Sequence, residues 1–369
     1  MTDKREIGIG IIGSGFARRT QIPGFRACEG ARVVAIASAQ RERAEAVARE
    51  FEIPFVGDDW RAVVESAEVD LVSIATPPAT HLEMTLAALA HGKAVLCEKP
   101  MAMNAGETDA MREAANAAGA FAHLDHELRF LAGRRQLREM LRAGEIGRVR
   151  HAQVNFRADS RATNERAWDW WSEAGMGGGT LGAIGSHIID AFHWLFETNI
   201  SGVCGQLATH VAARPDRGSS EMRPVTTDDE VNLLLKFSDG ELTTEGATAN
   251  VSMSFVAAGS PLHRLEIFGE RGALRIEDDG ALWRAHVGAG EWQRVEAERG
   301  ELAAGMRDNG WSRGFTTFAR EIVRALSEGR NTVEGAATFD DGHRTQLVLD
   351  AARRSHTSGS WMTPGDNRT

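Results

Sequence analysis

The chain has 369 residues, 42% of them hydrophobic and 25% charged, an ordinary composition for a folded protein of about two domains. Lysine and arginine total 42 against 52 acidic residues, a formal net charge of −10, which argues against a general nucleic-acid binder but leaves a small anionic substrate open. The sequence contains no tyrosine, so a mechanism built on a tyrosine acid, as in short-chain dehydrogenases, is excluded.

Residues 7–12 form an apolar strand that ends in glycines, and residues 32–38 (RVVAIAS) form a second. Residues 40–51 read as a helix with Ala44, Val47, Ala48 and Phe51 on one face, the spacing that helical periodicity demands. Residues 70–75 are a buried strand stopped by Thr76-Pro77-Pro78. Residues 80–91 are a helix with Thr80 as its N-cap and Gly92 past its end. A strand at 93–97, a helix at 105–118 and a strand at 120–124 follow. Strands and helices in alternation mean parallel βαβ units, and apolar runs without alternation mean strands covered on both faces.

The pattern changes after His123. Residues 134–142 are one helix closed by Gly144, and residues 149–158 alternate as a half-solvated strand does. From Val231 to Val295 strand pairs are joined at turns 237–241, 269–272 and 278–280, the last with the Asp-Gly pair favoured in hairpins. Helices return at 315–328 and 346–354, and residues 363–369 look frayed. The expectation is a parallel nucleotide-binding α/β domain over residues 1–123, then a mainly antiparallel α+β domain over 124–369.

Cys28, Cys97 and Cys204 share no short spacing, so neither a disulfide framework nor a cysteine zinc site is expected, and a reducing compartment fits. No metal-ligand spacing stands out. The longest apolar runs are far below the roughly 20 residues that span a bilayer. Residues 1–6 are polar and lead into no signal-peptide core, and Arg18-Arg19 is a twin arginine by letter only. The expectation is a cytoplasmic protein that binds neither membrane nor nucleic acid.

Four clusters carry chemistry. In Gly13-Ser14-Gly15-Phe16-Ala17-Arg18 the first two glycines fit a dinucleotide fingerprint, with Arg18 in place of the third small residue. A plain strand-to-helix turn would show the same glycines. The acid that usually binds the adenosine ribose is replaced by Ser38, with Arg41 and Arg43 nearby. Loss of that carboxylate and gain of two cations favour NADP(H) over NAD(H), unless both arginines only solvate a helix start. Thr76, Pro77 and His81, then Glu98-Lys99-Pro100, fall at carboxyl ends of parallel strands, the edge where such sheets bind ligands. A lone loop lysine is otherwise a surface charge. Gly177-Gly178-Gly179 precedes Gly182, Gly185 and Ser186; these small residues thin one helix face just where His187 emerges. His187 is then a ligand-facing base or a satisfied core histidine, and Asp190, one turn on, either orients it or caps another segment. Trp168, Trp170 and Trp171 lie just upstream, suited to stacking on sugar rings or to ordinary packing.

Taken together these residues resemble the glucose-fructose oxidoreductase / inositol dehydrogenase (Gfo/Idh/MocA) family. The likeness runs through Gly13-Ser-Gly15, Ala75-Thr-Pro-Pro-Ala-Thr-His81, Glu98-Lys99-Pro100, His126-Glu-Leu-Arg129-Phe130, Gly177 to His187, and Ala337-Thr-Phe-Asp-Asp-Gly-His-Arg-Thr-Gln346. The resemblance implies an N-terminal Rossmann domain and a C-terminal domain with a large, open, mostly antiparallel sheet, through which a homodimer or homotetramer forms. It implies NAD(P) as cofactor, Lys99 and His187 as the catalytic pair, and hydride exchange with a secondary alcohol or ketone of a sugar, cyclitol or related diol. His126, Arg129, Trp171 and Asp190 are then candidate substrate residues. Many members carry an aspartate four residues before the histidine, where this chain has Ala183, which weakens an inositol-type assignment. Two alternatives stay open: a glycoside-cleaving enzyme that keeps its nicotinamide bound, and a non-catalytic cofactor sensor, against which the lysine–histidine pair counts.

Overall fold

The computed structural model describes residues 6–219 and 221–366. Of the polar start and the frayed tail expected from sequence, residues 1–5 and 367–369 lie outside the described residues. Just before that tail the chain turns back, with Asp366 N donating to Thr363 O at 3.2 Å and Arg354 donating to Asp366 O at 3.0 Å.

Two compact units emerge: Met1–Leu131 with Gly300–His343, and Ala132–Arg299 with Arg344–Thr369. A single cut after His123 is therefore corrected. The reason is physical: the helix Gly310–Ser327 places Phe315, Phe318 and Ile322 in the core of the first unit. Apolar side chains from far downstream of the first six strands are buried with them.

In the first unit β1 (Ile7–Ile12), β2 (Ala31–Ala37), β3 (Phe55–Val56), β4 (Leu71–Ile74), β5 (Ala94–Cys97) and β6 (Ala122–Leu124) lie in the order β6-β5-β4-β1-β2-β3. Every pair among them is parallel, and the short strand Ala337–Thr338 adds antiparallel to β6. The crossovers are α1 (Gly15–Arg19) with α2 (Gln21–Arg26), α3 (Arg41–Phe51), α4 (Trp60–Glu65), α5 (His81–Ala90) and α6 (Ala105–Ala118). Side chains along a strand alternate faces, and the sheet uses both. Ile9, Ile11, Leu71 and Leu96 join the core with α2, α3 and Phe315. Ile12, Val72, Ile74, Val95 and Cys97 join the other, with α4, α5 and α6. This is why these strands read as unbroken apolar runs. The first crossover helix breaks at Thr20 (φ −131°, ψ −59°), because Pro23 has no N–H to offer the Arg19 carbonyl. Helix α6 runs as expected from sequence and is capped by Asn104, which accepts from Glu107 N at 3.0 Å, while Glu107 accepts from Met103 N at 3.1 Å.

The second unit carries α7 (Ala132–Arg142), β7 (Val149–Arg157), α8 (Ser186–Phe196), β8 (Ile200–Ala208), a ribbon of β9 (Ala213–Pro215) and β10 (Met222–Pro224), and then β11 (Glu230–Phe237), β12 (Thr243–Ser254), β13 (Leu262–Gly269), β14 (Gly272–Glu277), β15 (Leu282–His286) and β16 (Gln293–Val295). The large sheet has the order β16-β15-β14-β13-β7-β12-β11-β8. All three turns read from the sequence join consecutive antiparallel strands. Only β7 and β12 pair in parallel. One face is apolar, with Val231, Leu233, Leu235, Ala249, Val251, Met253, Leu265 and Ile267 buried. The other face bears Gln153, Asn155, Gln206, Asn232, Asn250 and Ser252 around a shallow groove of 360 Å³. The two last helices are longer than read: Gly310–Ser327 starts early because Asn309 caps it, accepting from Ser312 N at 2.9 Å, and the other spans Phe339–Ser358. Among the described residues no helix is long and apolar enough to cross a membrane.

Candidate active site

Because the first unit's strands are parallel, the residues that follow them share one edge. At the end of β1, Gly13 has φ +106°, and a Cβ there would sit 2.2 Å from Ala75 O; only glycine makes this turn. A Cβ on Gly15 would meet nothing within 4 Å, so the outer side of the turn is clear for a ligand. Ser14 Oγ lies 3.2 Å from Ser38 Oγ at the end of β2. Phe16 is half-buried and Ala17 wholly buried. Arg18 points away and pairs with Glu50 of α3 at 2.6 Å. Ala17 is thus the small residue packed inward, and Arg18 is solvent-facing. A tight turn with a clear outer side suits the backbone approach a pyrophosphate requires.

Arg41 opens α3 with its guanidinium on Glu45 at 2.8 Å and on Asp58. Arg43 is exposed on the same turn. The cations expected near the ribose are present, and one of them already carries two carboxylate partners.

Thr76 and Pro77 follow β4. Thr80 does not cap α5 with its side chain; its hydroxyl lies 2.9 Å from Pro77 O, which can only accept, and 2.8 Å from Thr76 Oγ1. His81 is wholly buried. Its Nε2 is 2.9 Å from Thr76 O, and its Nδ1 is 3.2 Å from both Pro100 O and Met101 O. Burial pushes its pKa down against these main-chain bonds. His81 thus fastens the loop after β4 to the loop after β5.

After β5 comes Glu98-Lys99-Pro100, with a cis bond before the proline. Lys99 is half-buried and Glu98 buried. Glu98 belongs to a network that sequence reasoning missed. Gln21 Nε2 donates to Glu98 Oε1 and to Asp125 Oδ2, each at 3.0 Å, and Ser73 Oγ donates to Gln21 Oε1 at 2.9 Å. Burial first, and then Asp125, raises the Glu98 carboxyl well above the usual range; burial likewise pushes Asp125 up to about 6. Asp125 directly follows β6, which puts it on the same carboxyl edge as Glu98. His126 and Arg129, beyond β6, are both buried. Arg129 donates to Asp341 at 3.3 Å, which fixes one side of its guanidinium.

In the second unit, the glycine turn is pinned by a residue the sequence did not single out. Asp228 accepts from Leu181 N at 2.7 Å through its carboxylate and from Thr180 N at 3.0 Å through its carbonyl. Gly179 has φ +106°, and a Cβ on it would lie 2.7 Å from Asp228 Oδ1; a Cβ on Gly178 would lie 2.1 Å from Trp171 O. The turn leads into a π-helical stretch, Leu181–Gly185, that contains Ala183, and then into α8. Such irregular turns recur at functional positions. His187 and Asp190 are both buried in α8. The Trp171 ring meets Phe255 edge-on at 5.3 Å and has the Arg161 guanidinium over it at 3.8 Å. Arg161 is itself held by Asp169 at 3.1 Å. Trp168 is taken up by Arg223 and by its bond to Pro224 O.

A dinucleotide turn at one sheet edge, a lysine two strands away on that edge, and a separate glycine-led helix bearing a histidine match a known pattern. The family model for the NAD-binding Rossmann fold of the GFO_IDH_MocA oxidoreductases matches residues 7–126, and the model for the GFO/IDH/MocA C-terminal domain matches 134–275. The chain belongs to the Gfo/Idh/MocA oxidoreductase family. It is an enzyme of this NAD-binding type. Among similar Gfo/Idh/MocA proteins, glucose-fructose oxidoreductase domain-containing protein 2 of Xenopus laevis is 30% identical, over 96% of this chain and 92% of its own length. Levoglucosan dehydrogenase of Pseudarthrobacter phenanthrenivorans is 26% identical over 97% and 98%. The crystal structure of an oxidoreductase domain protein from Kribbella flavida superposes with a TM-score of 0.87 at 29% identity, over 98% of this chain and all of that one.

Proposed function

We propose that the protein moves a hydride between nicotinamide C4 and the carbon of a secondary alcohol or ketone in a sugar, cyclitol or related diol. The observation that carries this reading is Lys99, placed at the carboxyl edge of the same parallel sheet whose first strand ends in the open Gly13–Gly15 turn. A bound nicotinamide supplies or accepts the hydride. In the oxidation direction His187 takes the hydroxyl proton as general base. The Lys99 ammonium stabilises negative charge on the substrate oxygen and holds that hydroxyl in place. The roles reverse in reduction. The name of the levoglucosan dehydrogenase relative makes anhydrosugars the first compounds to try.

NADP(H) is the preferred dinucleotide in this reading. No acid follows β2 at Ser38, and Arg43 stands exposed beside it; Arg41 would have to leave Glu45 and Asp58 to help. Two copies or four assemble through the second unit's sheet, whose polar face also exposes Leu234 at 48%. Light scattering after gel filtration, with Leu234→Arg as the disrupting variant, checks that assembly.

The deciding experiment follows nicotinamide absorbance with a panel of anhydrosugars, aldoses, ketoses and inositols and both dinucleotides. Lys99→Ala and His187→Ala are each expected to lower turnover by about 10²–10⁴-fold, with far smaller changes in dinucleotide affinity. Unchanged turnover in both variants overturns the assignment.

A further inference from the structure

Two carboxyl groups are buried side by side immediately before Lys99. Glu98 is 8% exposed and Asp125 fully buried. Carboxylates only accept hydrogen bonds, so Gln21 has to turn its amide nitrogen toward them. The Gln21 Oε1 is then left to accept from Ser73 Oγ, as observed at 2.9 Å. One –NH₂ group thus serves one oxygen of each acid. The other Asp125 oxygen, Oδ1, is also buried, and no N–H or hydroxyl donor of the described residues reaches it. A buried carboxylate oxygen left bare is costly. The group at hand to cover it is the Glu98 carboxyl, if that carboxyl holds a proton. Two buried acids that share one amide donor disfavour each other's ionised form.

We propose that Glu98 and Asp125 share a single proton, and that the pair so closed, locked by Gln21, positions Lys99. The network ties the ends of three neighbouring strands to one helix: Ser73 from β4, Glu98 after β5, Asp125 after β6 and Gln21 from α2. Main-chain bonds run in the same places, from Glu98 N to Ile74 O at 2.9 Å and from Asp125 N to Cys97 O at 2.8 Å. Losing the shared proton sets two carboxylates against each other at this junction, and the residue that moves with Glu98 is Lys99. The charged and titratable groups that act on the pair are Lys99, which favours its ionised form, and Glu127 and Cys97, which do not. The raised titration of both acids agrees with this arrangement. The positioning role rests on the reading of Lys99 given above; the shared proton does not.

Infrared difference spectra in H₂O and D₂O at neutral pH read the proton directly. Wild-type protein is expected to show a buried carboxylic-acid band that Glu98→Gln removes. Absence of that band, or its survival in Glu98→Gln, overturns the shared proton. Positioning is read by NADH fluorescence titrations from about pH 6 to about pH 9. Wild-type affinity is expected to weaken by about tenfold as the pair loses its proton. Glu98→Gln, which offers Asp125 an amide N–H instead, keeps affinity flat. In a Lys99→Met background Glu98→Gln no longer alters the pH dependence, because the pair then has nothing to place. Equal pH dependence in wild type and Glu98→Gln, or a difference that persists without Lys99, overturns the positioning role. A failure of the turnover test removes the reason for placing Lys99 and leaves the shared proton standing, so the two ideas fail separately.

Discussion

The Arg129 guanidinium donates to the Asp341 carboxylate at 3.3 Å, across 212 residues of chain. Asp341 also accepts from Thr338 N at 3.0 Å, beside the short strand that extends the parallel sheet. The pair fastens the returning segment Gly300–His343 to the first unit. Asp341→Ala removes one countercharge from a nearly buried arginine and is expected to cost about 2–4 kcal/mol, seen as a lower urea midpoint. Substrate KM is expected to stay within about threefold if the pair acts in folding alone; a large KM change would support Arg129 as a substrate residue.

Ser38 and the two arginines divide the cofactor question. Ser38→Asp places a carboxylate where a 2′-phosphate would lie and is expected to weaken NADPH by about tenfold or more while sparing NADH. Arg43→Ala should weaken NADPH more than Arg41→Ala, since Arg41 already serves Glu45 and Asp58. Fluorescence titrations of the three variants check both statements, and the reverse order would make Arg41 the phosphate ligand.

His123 donates through Nδ1 to Ala337 O, at 3.1 Å, and accepts from Val333 N, at 3.2 Å, through Nε2. Accepting at Nε2 requires the neutral ring, and burial lowers its pKa from 6.5 to about 4. A depressed folded-state value means that its stabilisation is complete above pH 6.5 and is lost as pH falls through about 4. The loss is on the order of 3 kcal/mol. Asp125 has a raised value and slopes the other way, losing stability as pH rises from 3.8 through about 6. Urea unfolding across this range should show a shallower acid loss in His123→Gln and a shallower loss on the alkaline side in Glu98→Gln.

Gly179 has a backbone that side chains rarely adopt, and its neighbour Asp228 fills the space a Cβ would need. Gly179→Ala is expected to lower stability by about 1–3 kcal/mol and to reduce turnover by displacing the start of α8. Gly175→Ala, whose Cβ would meet only Glu173 Oε1 at 4.0 Å, serves as the near-neutral control. Thermal melts with matched turnover assays check the contrast.

The parallel half of the first unit was legible because its signals are local. Each strand is an apolar run and each helix has its own periodicity. Gly13–Gly15 and Glu98–Lys99 were legible for the same reason, as contiguous motifs. The return of Gly310–Ser327 to the first unit was not, because an amphipathic stripe of Phe315, Phe318 and Ile322 does not say whose core it fills. The parallel pairing of β7 with β12 was hidden likewise, since alternation fixes a strand's face and not its neighbour. Gln21, Ser73 and Asp125 are single polar residues in three separate elements. Only the strand order β6-β5-β4 and the seat of α2 bring them to Glu98, and no spacing in the sequence encodes that. Thr80 and His81 were found as polar positions, but their partners on the main chain were invisible until the loops were placed.

The helix Gly310–Ser327 gives the first unit a debt to the end of the chain. During synthesis the six parallel strands emerge first, and one face of their sheet stays without Phe315, Phe318 and Ile322 until residues 132–299 have been made. At about 5–20 residues per second that is a wait of roughly ten to thirty seconds. Through that interval the nascent protein presents Ile22, Phe25 and Phe130 as an apolar surface to whatever holds unfinished chains near the ribosome. A ribosome that stalls anywhere in the second unit's sheet therefore releases a first unit that is sticky as well as incomplete.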